Sequence, residues 1–289
     1  MYQEFDHIQS SDCNNALTID VEEYFQVSAF EKCIDRSKWS TLPSRVDRNI
    51  NVILDVLDAS NVKATFFILG WIAERHPKLI RKIHDNGHEI ACHGLQHVRV
   101  NNQNIEQFKA DVVQAKNILE DVISSSVKGY RAASFSINDK NIWALDVLKD
   151  NGFAYSSSIN PIRHDLYGMP DAPRFPFKVK NDSILEIPIS TVRMIGRNWP
   201  CGGGGFFRIL PYKIFRAGLK KINQQEKKSA IFYFHPWEID AEQPRVKNAP
   251  LKSSFRHYHN LHKTLPRLKV LLSDFNWGRV DQVYSSYLA

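Results

Sequence analysis

The chain has 289 residues, 43% of them hydrophobic and 24% charged, an ordinary globular composition long enough for one large α/β domain or two small ones. Its net charge of +7 comes from scattered Lys and Arg, densest at Lys220-Lys221 and Lys227-Lys228. There is no Arg-rich arm, zinc-finger spacing or RNA-binding signature, so nucleic acid is not an expected partner. Cys13, Cys33, Cys92 and Cys201 share no C-x-x-C spacing and make no disulfide framework, which points to reduced thiols in a cytosolic protein.

Residues 1–15 read as a loose polar tail without the basic-then-apolar order of a secretory signal. No apolar run approaches the ~20 residues that span a bilayer. The expected location is therefore cytoplasmic, with the inner membrane surface as the alternative. Ala16–Ile19 is a short apolar run ending at Asp20-Val21-Glu22-Glu23, the pattern of a buried strand that delivers carboxylates at its end. Val46, Ile50, Ile53, Leu54 and Leu57 give residues 44–59 a helical period, and Ala64–Leu69 is a second strand. A helix over about 77–86 stops at Gly87, and Glu89–Cys92 is a third strand ending at His93. A long amphipathic helix follows at about 104–122, then a strand at Lys128–Arg131, a helix over 139–151 and a strand at Phe153–Ser156.

After residue 160 the prolines cluster, Gly202–Gly205 reads as a flexible loop, and a helix over 211–225 leads to the apolar strand Ala230–Phe234, which ends at His235-Pro236-Trp237-Glu238. A helix over 258–272 closes the chain. Strand alternating with helix predicts a parallel α/β architecture, with Asp20, His93, Arg131 and Ser156 at strand ends, where a parallel barrel keeps its chemistry. With no internal repeat or linker, residues 16–285 are expected to form a single domain, its distinct C-terminal portion beginning near 160.

Four groups of residues have the make-up of a hydrolytic site. Asp20, Glu22 and Glu23 offer a base for water and a carboxylate for a divalent metal. His93 and His97, at i and i+4, would share one side of a helical turn and one metal; the H-x-x-x-H spacing lacks the Glu of the zinc-protease motif, so the base must come from elsewhere. Arg131 beside Asp20 would lower that carboxylate's pKa and orient it. His235, ending an apolar strand, could protonate a leaving amine. Tyr24 and Trp237 are aromatic candidates for stacking on sugar rings.

Taken in order, these stretches resemble the polysaccharide deacetylase family, with its NodB homology domain and carbohydrate esterase family 4 chemistry. Leu17–Phe25, Asp165–Arg174 and His235–Asp240 resemble most closely the subgroup associated with bacterial exopolysaccharide and exosortase gene clusters. The resemblance covers about residues 16–275. It implies a distorted (β/α) barrel with a C-terminal extension packed on it. It also implies metal-dependent removal of N-acetyl groups from the sugars of a polysaccharide or oligosaccharide, free or lipid-linked. In that reading Asp20 is the base, Arg131 holds it and His235 is the acid. Glu22, His93 and His97 bind the metal, with Glu23 as second candidate acid. Zinc fits best, with cobalt or nickel as substitutes. A backbone N–H near Ser134 would help hold the oxyanion. The chain departs from the family at Ala133, where a proline is usual, and in Tyr155-Ser156-Ser157-Ser158, which lacks an acid. Two other readings are a metal-independent hydrolase of cyclic amides and a catalytically silent glycan-binding barrel.

Overall fold

The structure is a computed structural model, and it describes residues 2–5, 14–165, 167–179 and 183–288. Much of the expected tail, and Cys13, lie outside the described residues. The part that is described is docked rather than loose: Gln3–Glu4 pairs with Phe177–Lys178, and Tyr2 packs edge-on against Phe177 at 5.0 Å.

The parallel strands are short and apolar because both of their faces are covered. They are β1 (Asn15–Val21), β2 (Thr65–Ile68), β3 (Glu89–Cys92), β4 (Gly129–Tyr130), β5 (Tyr155–Ser156) and β6 (Leu185–Glu186), followed much later by β9 (Ile231–Phe234). Every residue of these seven strands is buried. Between them run α1 (Val46–Ala59), α2 (Gly70–Arg75), α3 (Pro77–Asp85), α4 (Ile105–Ile123) and α5 (Ala144–Asp150). α4 begins on a reciprocal cap: Asn104 Oδ1 accepts the Gln107 N–H and Gln107 Oε1 accepts the Asn104 N–H, both at 2.9 Å. α5 starts later than the apolar pattern predicts. Asn141 Oδ1 accepts the Asn138 N–H at 2.7 Å and Asn138 Oδ1 accepts the Lys140 N–H at 2.9 Å, and this side-chain turn competes with helix.

Sheet order runs from Gln3–Glu4 through Phe177–Lys178, β6, β5, β4, β3, β2 and β1 to β9. All pairings from β6 to β9 are parallel. No ladder joins the two ends among the described residues. Instead the segment between them bridges the gap: Ile189 donates to Ile159 O at 3.0 Å, Ile231 donates to Ser190 Oγ at 2.8 Å and Tyr233 donates to Gly202 O at 2.7 Å. The result is an α/β fold of the distorted-barrel type.

Within the bridging region stands a two-stranded hairpin, β7 (Thr191–Met194) and β8 (Arg197–Pro200). Gly202–Gly205 is not a flexible loop. Gly203 pairs with Tyr233 at φ +117°, and a Cβ there would come within 2.0 Å of Tyr233 O, so only glycine lets the two backbones approach. α6 (Gly204–Ile209) and α7 (Tyr212–Lys220) follow; the helix expected over 211–225 widens into a π turn at Lys221–Gln225. The expected helix over 258–272 is two helices, α8 (Leu251–Tyr258) and α9 (Leu261–Asp274), parted by Asn260 at φ +56°. α9 packs on Pro236–Ile239, just after β9. No helix among the described residues is long and apolar enough to cross a membrane.

Candidate active site

Parallel register brings the polar ends of five strands to one place. Ile19 pairs with Phe234 and with Phe66, Ile68 with Cys92, Cys92 with Tyr130, and Tyr130 with Ser156. The residues just past these pairs are Asp20, His93, Arg131, Ser157 and His235, so a single cross-section of the barrel mouth collects them. Glu22 follows β1 directly.

Glu22, His93 and His97 are buried, and one donor atom from each lies within 4.8 Å of the others. Glu22 Oε2 stands 2.9 Å from His97 Nε2, yet it has no hydrogen-bond partner. A buried carboxylate oxygen aimed at imidazole nitrogens without hydrogen-bond geometry is what a shared cation would satisfy. The donor set, one carboxylate and two imidazoles, fits a divalent metal of the zinc type with an open position. His93 Nδ1 lies 2.8 Å from the Arg131 carbonyl, which fixes the ring and leaves Nε2 for a ligand. Burial holds the His93 imidazole down at about 4, so it is neutral and able to ligate. Burial pushes Glu22 up, but His97 and His235 outweigh it and bring its pKa to about 2.

The two histidines do not share a helical turn. Residues 93–97 form a loop, with Gly94 at φ +80° and His97 at φ +52°, and this loop folds the rings to a centroid distance of 5.4 Å. A Cβ on Gly94 would meet Asp111 Oδ2 at 2.9 Å. Glu23, the second candidate acid, is not part of the cluster. Its Oε1 accepts from the backbone N–H of Arg45 at 2.9 Å and Val46 at 3.1 Å and from Ser44 Oγ, so it caps the start of α1 instead.

Arg131 is fully buried, and its guanidinium is spoken for on every side. Nη1 donates to Asp20 Oδ1 at 2.6 Å and to Thr18 Oγ1 at 2.8 Å; Nε and Nη2 donate to the carbonyl and hydroxyl of Ser157 at 3.0 and 2.9 Å. Asp20 is thereby locked in orientation. The segment Ser156–Ser158, which carries no acid of its own, receives one from β6. Glu186 Oε1 accepts the N–H groups of Ser158 and Ile159 at 2.8 and 2.7 Å, and burial raises its pKa against the opposing pull of these donors and Arg131. Glu186 lies in a two-residue strand far along the chain, and nothing in the local pattern marks it.

On the other side of Glu22, His235 Nδ1 lies 3.0 Å from Glu238 Oε2, while Glu238 Oε1 accepts from Arg208 Nε at 2.7 Å. Arg208, also buried, donates to the carbonyls of Arg256, His257 and His259. Burial works against a charged His235, but Glu22 and Glu238 more than offset it and raise the imidazole to about 9. A dication on Glu22 would cancel part of that pull and draw His235 back toward neutrality. Arg208 and Glu238 are the site's missed members. Glu238 sits inside the H-P-W-E stretch but is marked only by its helical-turn spacing from His235.

Of the aromatic candidates for stacking, Trp237 and Tyr24 are buried. Trp237 is sandwiched between His235 and His257, at centroid distances of 5.0 and 4.0 Å and near-parallel planes, so both faces are covered; its Nε1 donates to Glu22 Oε1 at 3.1 Å. Tyr24 is buried edge-on against Phe25. Ser134 stands at φ +54°, and its hydroxyl pairs with Ser28 Oγ at 2.6 Å. A cleft opens next to His97, lined among others by Gln26, Ser28, Glu31, Arg36 and Trp39.

The site thus groups a buried carboxylate and two imidazoles with an Arg-locked aspartate and a Glu-held histidine. Residues 38–156 match the family model of polysaccharide deacetylase, and residues 157–285 match a domain of unknown function, DUF3473. Over residues 38–156 the chain is therefore similar to the polysaccharide deacetylases. Among curated relatives it is 32% identical over 95 residues to a peptidoglycan-N-acetylglucosamine deacetylase of Bacillus cereus, which covers 32% of this chain and 34% of that protein. It is 27% identical over 108 residues to a chitooligosaccharide deacetylase of a Bradyrhizobium species, covering 37% of this chain and 47% of that one. The chain thus spans about a third to a half of the relatives' length. A crystal structure from Mycobacterium smegmatis described as a polysaccharide deacetylase matches with a TM-score of 0.63 at 17% identity, over 99% of this chain and 94% of that one. A carbohydrate esterase family 4 pseudoenzyme from Bacillus anthracis matches with a TM-score of 0.50 at 13% identity, over 94% and 66%. Both are likenesses of fold.

Proposed function

We propose that the protein hydrolyses N-acetyl groups from the sugars of a bacterial polysaccharide or its precursor, releasing acetate and a free amine, with a divalent cation held by Glu22, His93 and His97. The observation that carries this reading is Glu22 Oε2 facing His97 Nε2 at 2.9 Å without hydrogen-bond geometry, beside an aspartate that Arg131 grips at 2.6 Å. It is an arrangement suited to a cation next to a base. The relatives named as deacetylases of N-acetylglucosamine polymers support the substrate class.

A divalent cation in that position supplies Lewis acidity, lowering the pKa of water and polarising a carbonyl. The chain's own residues do the rest. Asp20, with one oxygen committed to Arg131, offers the other to the proton of an attacking water. Arg131 keeps Asp20 in place while accepting no proton itself. His235, with Glu238 on its Nδ1 to favour the charged imidazole, holds the proton that the departing sugar nitrogen needs and leaves Nε2 to deliver it. Glu186 supports the active reading over the silent one, since it supplies a carboxylate beside Ser156–Ser158 and ties down the backbone of Ser158, next to the Ser157 that holds Arg131. The exopolysaccharide subgroup and zinc as the resident metal are part of the proposal.

The test is acetate release from N-acetylglucosamine oligomers and from a panel of other N-acetylated glycans, after chelation and again after zinc or cobalt is restored. The proposal expects release only with metal. Release that persists without metal, or none on any glycan with metal, overturns it.

A further inference from the structure

The β7–β8 hairpin spends conformational energy on exposing a hydrophobic side chain. Its register, Met194 opposite Arg197, leaves a two-residue turn of Ile195 and Gly196, with φ of +49° and +67°. Both central residues are left-handed, the geometry in which Asn-Gly is favoured and a β-branched residue is a genuine outlier. Ile195 nevertheless stands there 96% exposed, flanked by exposed Met194 and followed by half-exposed Trp199. The surroundings carry one sign of charge. From Ile187 to Gln225 the chain has no Asp or Glu. Arg193 and Arg197 flank the tip, and among the described residues no carboxylate pairs with either. α7 packs on the hairpin's base, Gly218 lying against Cys201 and Val192, and it exposes Ile214 beside Lys213.

We infer that the β7–β8 hairpin is a membrane-surface contact: Ile195 and Met194 enter the outer part of an anionic bilayer, while Arg193 and Arg197 meet its headgroups. A strained outlier held in place by a well-formed hairpin is a pointer to function. An exposed apolar tip ringed by basic residues with a tryptophan behind it matches the make-up of an interfacial anchor. The charge complementarity selects an anionic lipid surface over a neutral one. The inference is independent of the hydrolytic reading, because none of these residues belongs to the site.

The test is co-sedimentation of the full chain with vesicles of phosphatidylcholine alone and of phosphatidylcholine with phosphatidylglycerol. Ile195→Asn keeps the hairpin, since Asn-Gly suits this turn better than Ile-Gly. The paired variant Arg193→Ser with Arg197→Ser removes the charge. The wild type is expected to bind the anionic vesicles, less so as salt rises, and Ile195→Asn to weaken binding about tenfold or more, the loss expected when one isoleucine no longer leaves water. The double serine variant should lose the preference for anionic lipid. Acetate release from soluble oligosaccharide, where the wild type shows it, should be unchanged in Ile195→Asn. Equal vesicle binding by wild type and Ile195→Asn, absence of binding to anionic vesicles, or self-association of the wild type that Ile195→Asn abolishes would each overturn the inference, the last by assigning the tip to a protein contact.

Discussion

Trp237 donates its indole N–H to Glu22 Oε1 at 3.1 Å, while both of its faces are covered by His235 and His257. The indole therefore orients the carboxylate of the candidate metal cluster and packs the histidine across from it. Groups that orient a ligand typically contribute 10–100-fold to metal affinity. Trp237→Phe keeps an aromatic ring between the histidines and loses only the donor. It is expected to weaken zinc binding by about 10–100-fold, read by competition against a chromophoric chelator. Unchanged affinity would remove Trp237 from that task.

Asp20→Asn retains an oxygen for Arg131 and loses the basic one. Deacetylation should fall by about two to four orders of magnitude, the usual range for a general base, while bound metal stays stoichiometric by elemental analysis. Substantial turnover in this variant would transfer the base's role elsewhere.

Arg208 and Glu238 are both almost fully buried, and Arg208 Nε meets Glu238 Oε1 at 2.7 Å. Removing one partner of such a pair leaves a charge without its counter-charge, at a cost of about 3–5 kcal/mol. Glu238→Gln should therefore lower the melting temperature by about 10 °C, given roughly 2–4 °C per kcal/mol at this chain length. It should also reduce activity, because His235 loses the acceptor on Nδ1. A melting temperature within 2 °C of wild type would show that the pair is better solvated than its burial indicates.

At the opposite end of the barrel Glu89 is buried, accepting from Thr65, Tyr155 and the Asp281 N–H. Burial, with Asp281 adding to it, pushes its pKa up from 4.5 to about 7. Between those values the folded chain keeps a proton that the unfolded chain has released, so this group's stabilisation is full below about pH 4.5, declines as pH rises and levels off above about 7. His88, lowered to about 4 by burial, contributes the reverse slope over part of that range. The informative quantity is thus the difference between wild type and Glu89→Gln in denaturant unfolding from pH 4.5 to 8. Wild type should lose stability relative to the variant across that window. Parallel curves would contradict the shift.

Six of the seven parallel strands and their polar ends were legible because they are short, apolar runs buried on both faces; β6, only Leu185–Glu186, was not. Asp20, Glu22, His93, His97, Arg131 and His235 meet at one mouth because each ends or follows such a run. What could not be read was whatever depends on distant partners. Glu186 reaches Ser158 across 28 positions, and Arg208 reaches Glu238 across 30. The histidine pair has the spacing of a helix, but Gly94 and His97 take left-handed backbone, so the rings converge through a loop. Glu22 and Glu23 are indistinguishable in sequence; only the fold turns one to the histidines and the other to the start of α1. Aromatic side chains beside a motif carry no sign of whether their faces are free, and those of Trp237 are not.

Diffraction from zinc-soaked crystals, recorded on both sides of the zinc absorption edge, would locate the cation directly. The account predicts one strong anomalous peak bonded to Glu22, His93 and His97 at about 2.0–2.2 Å, with Asp20 close by but not a ligand. A zinc ion seated elsewhere, or a fully soaked crystal with no peak between these three side chains, would contradict it.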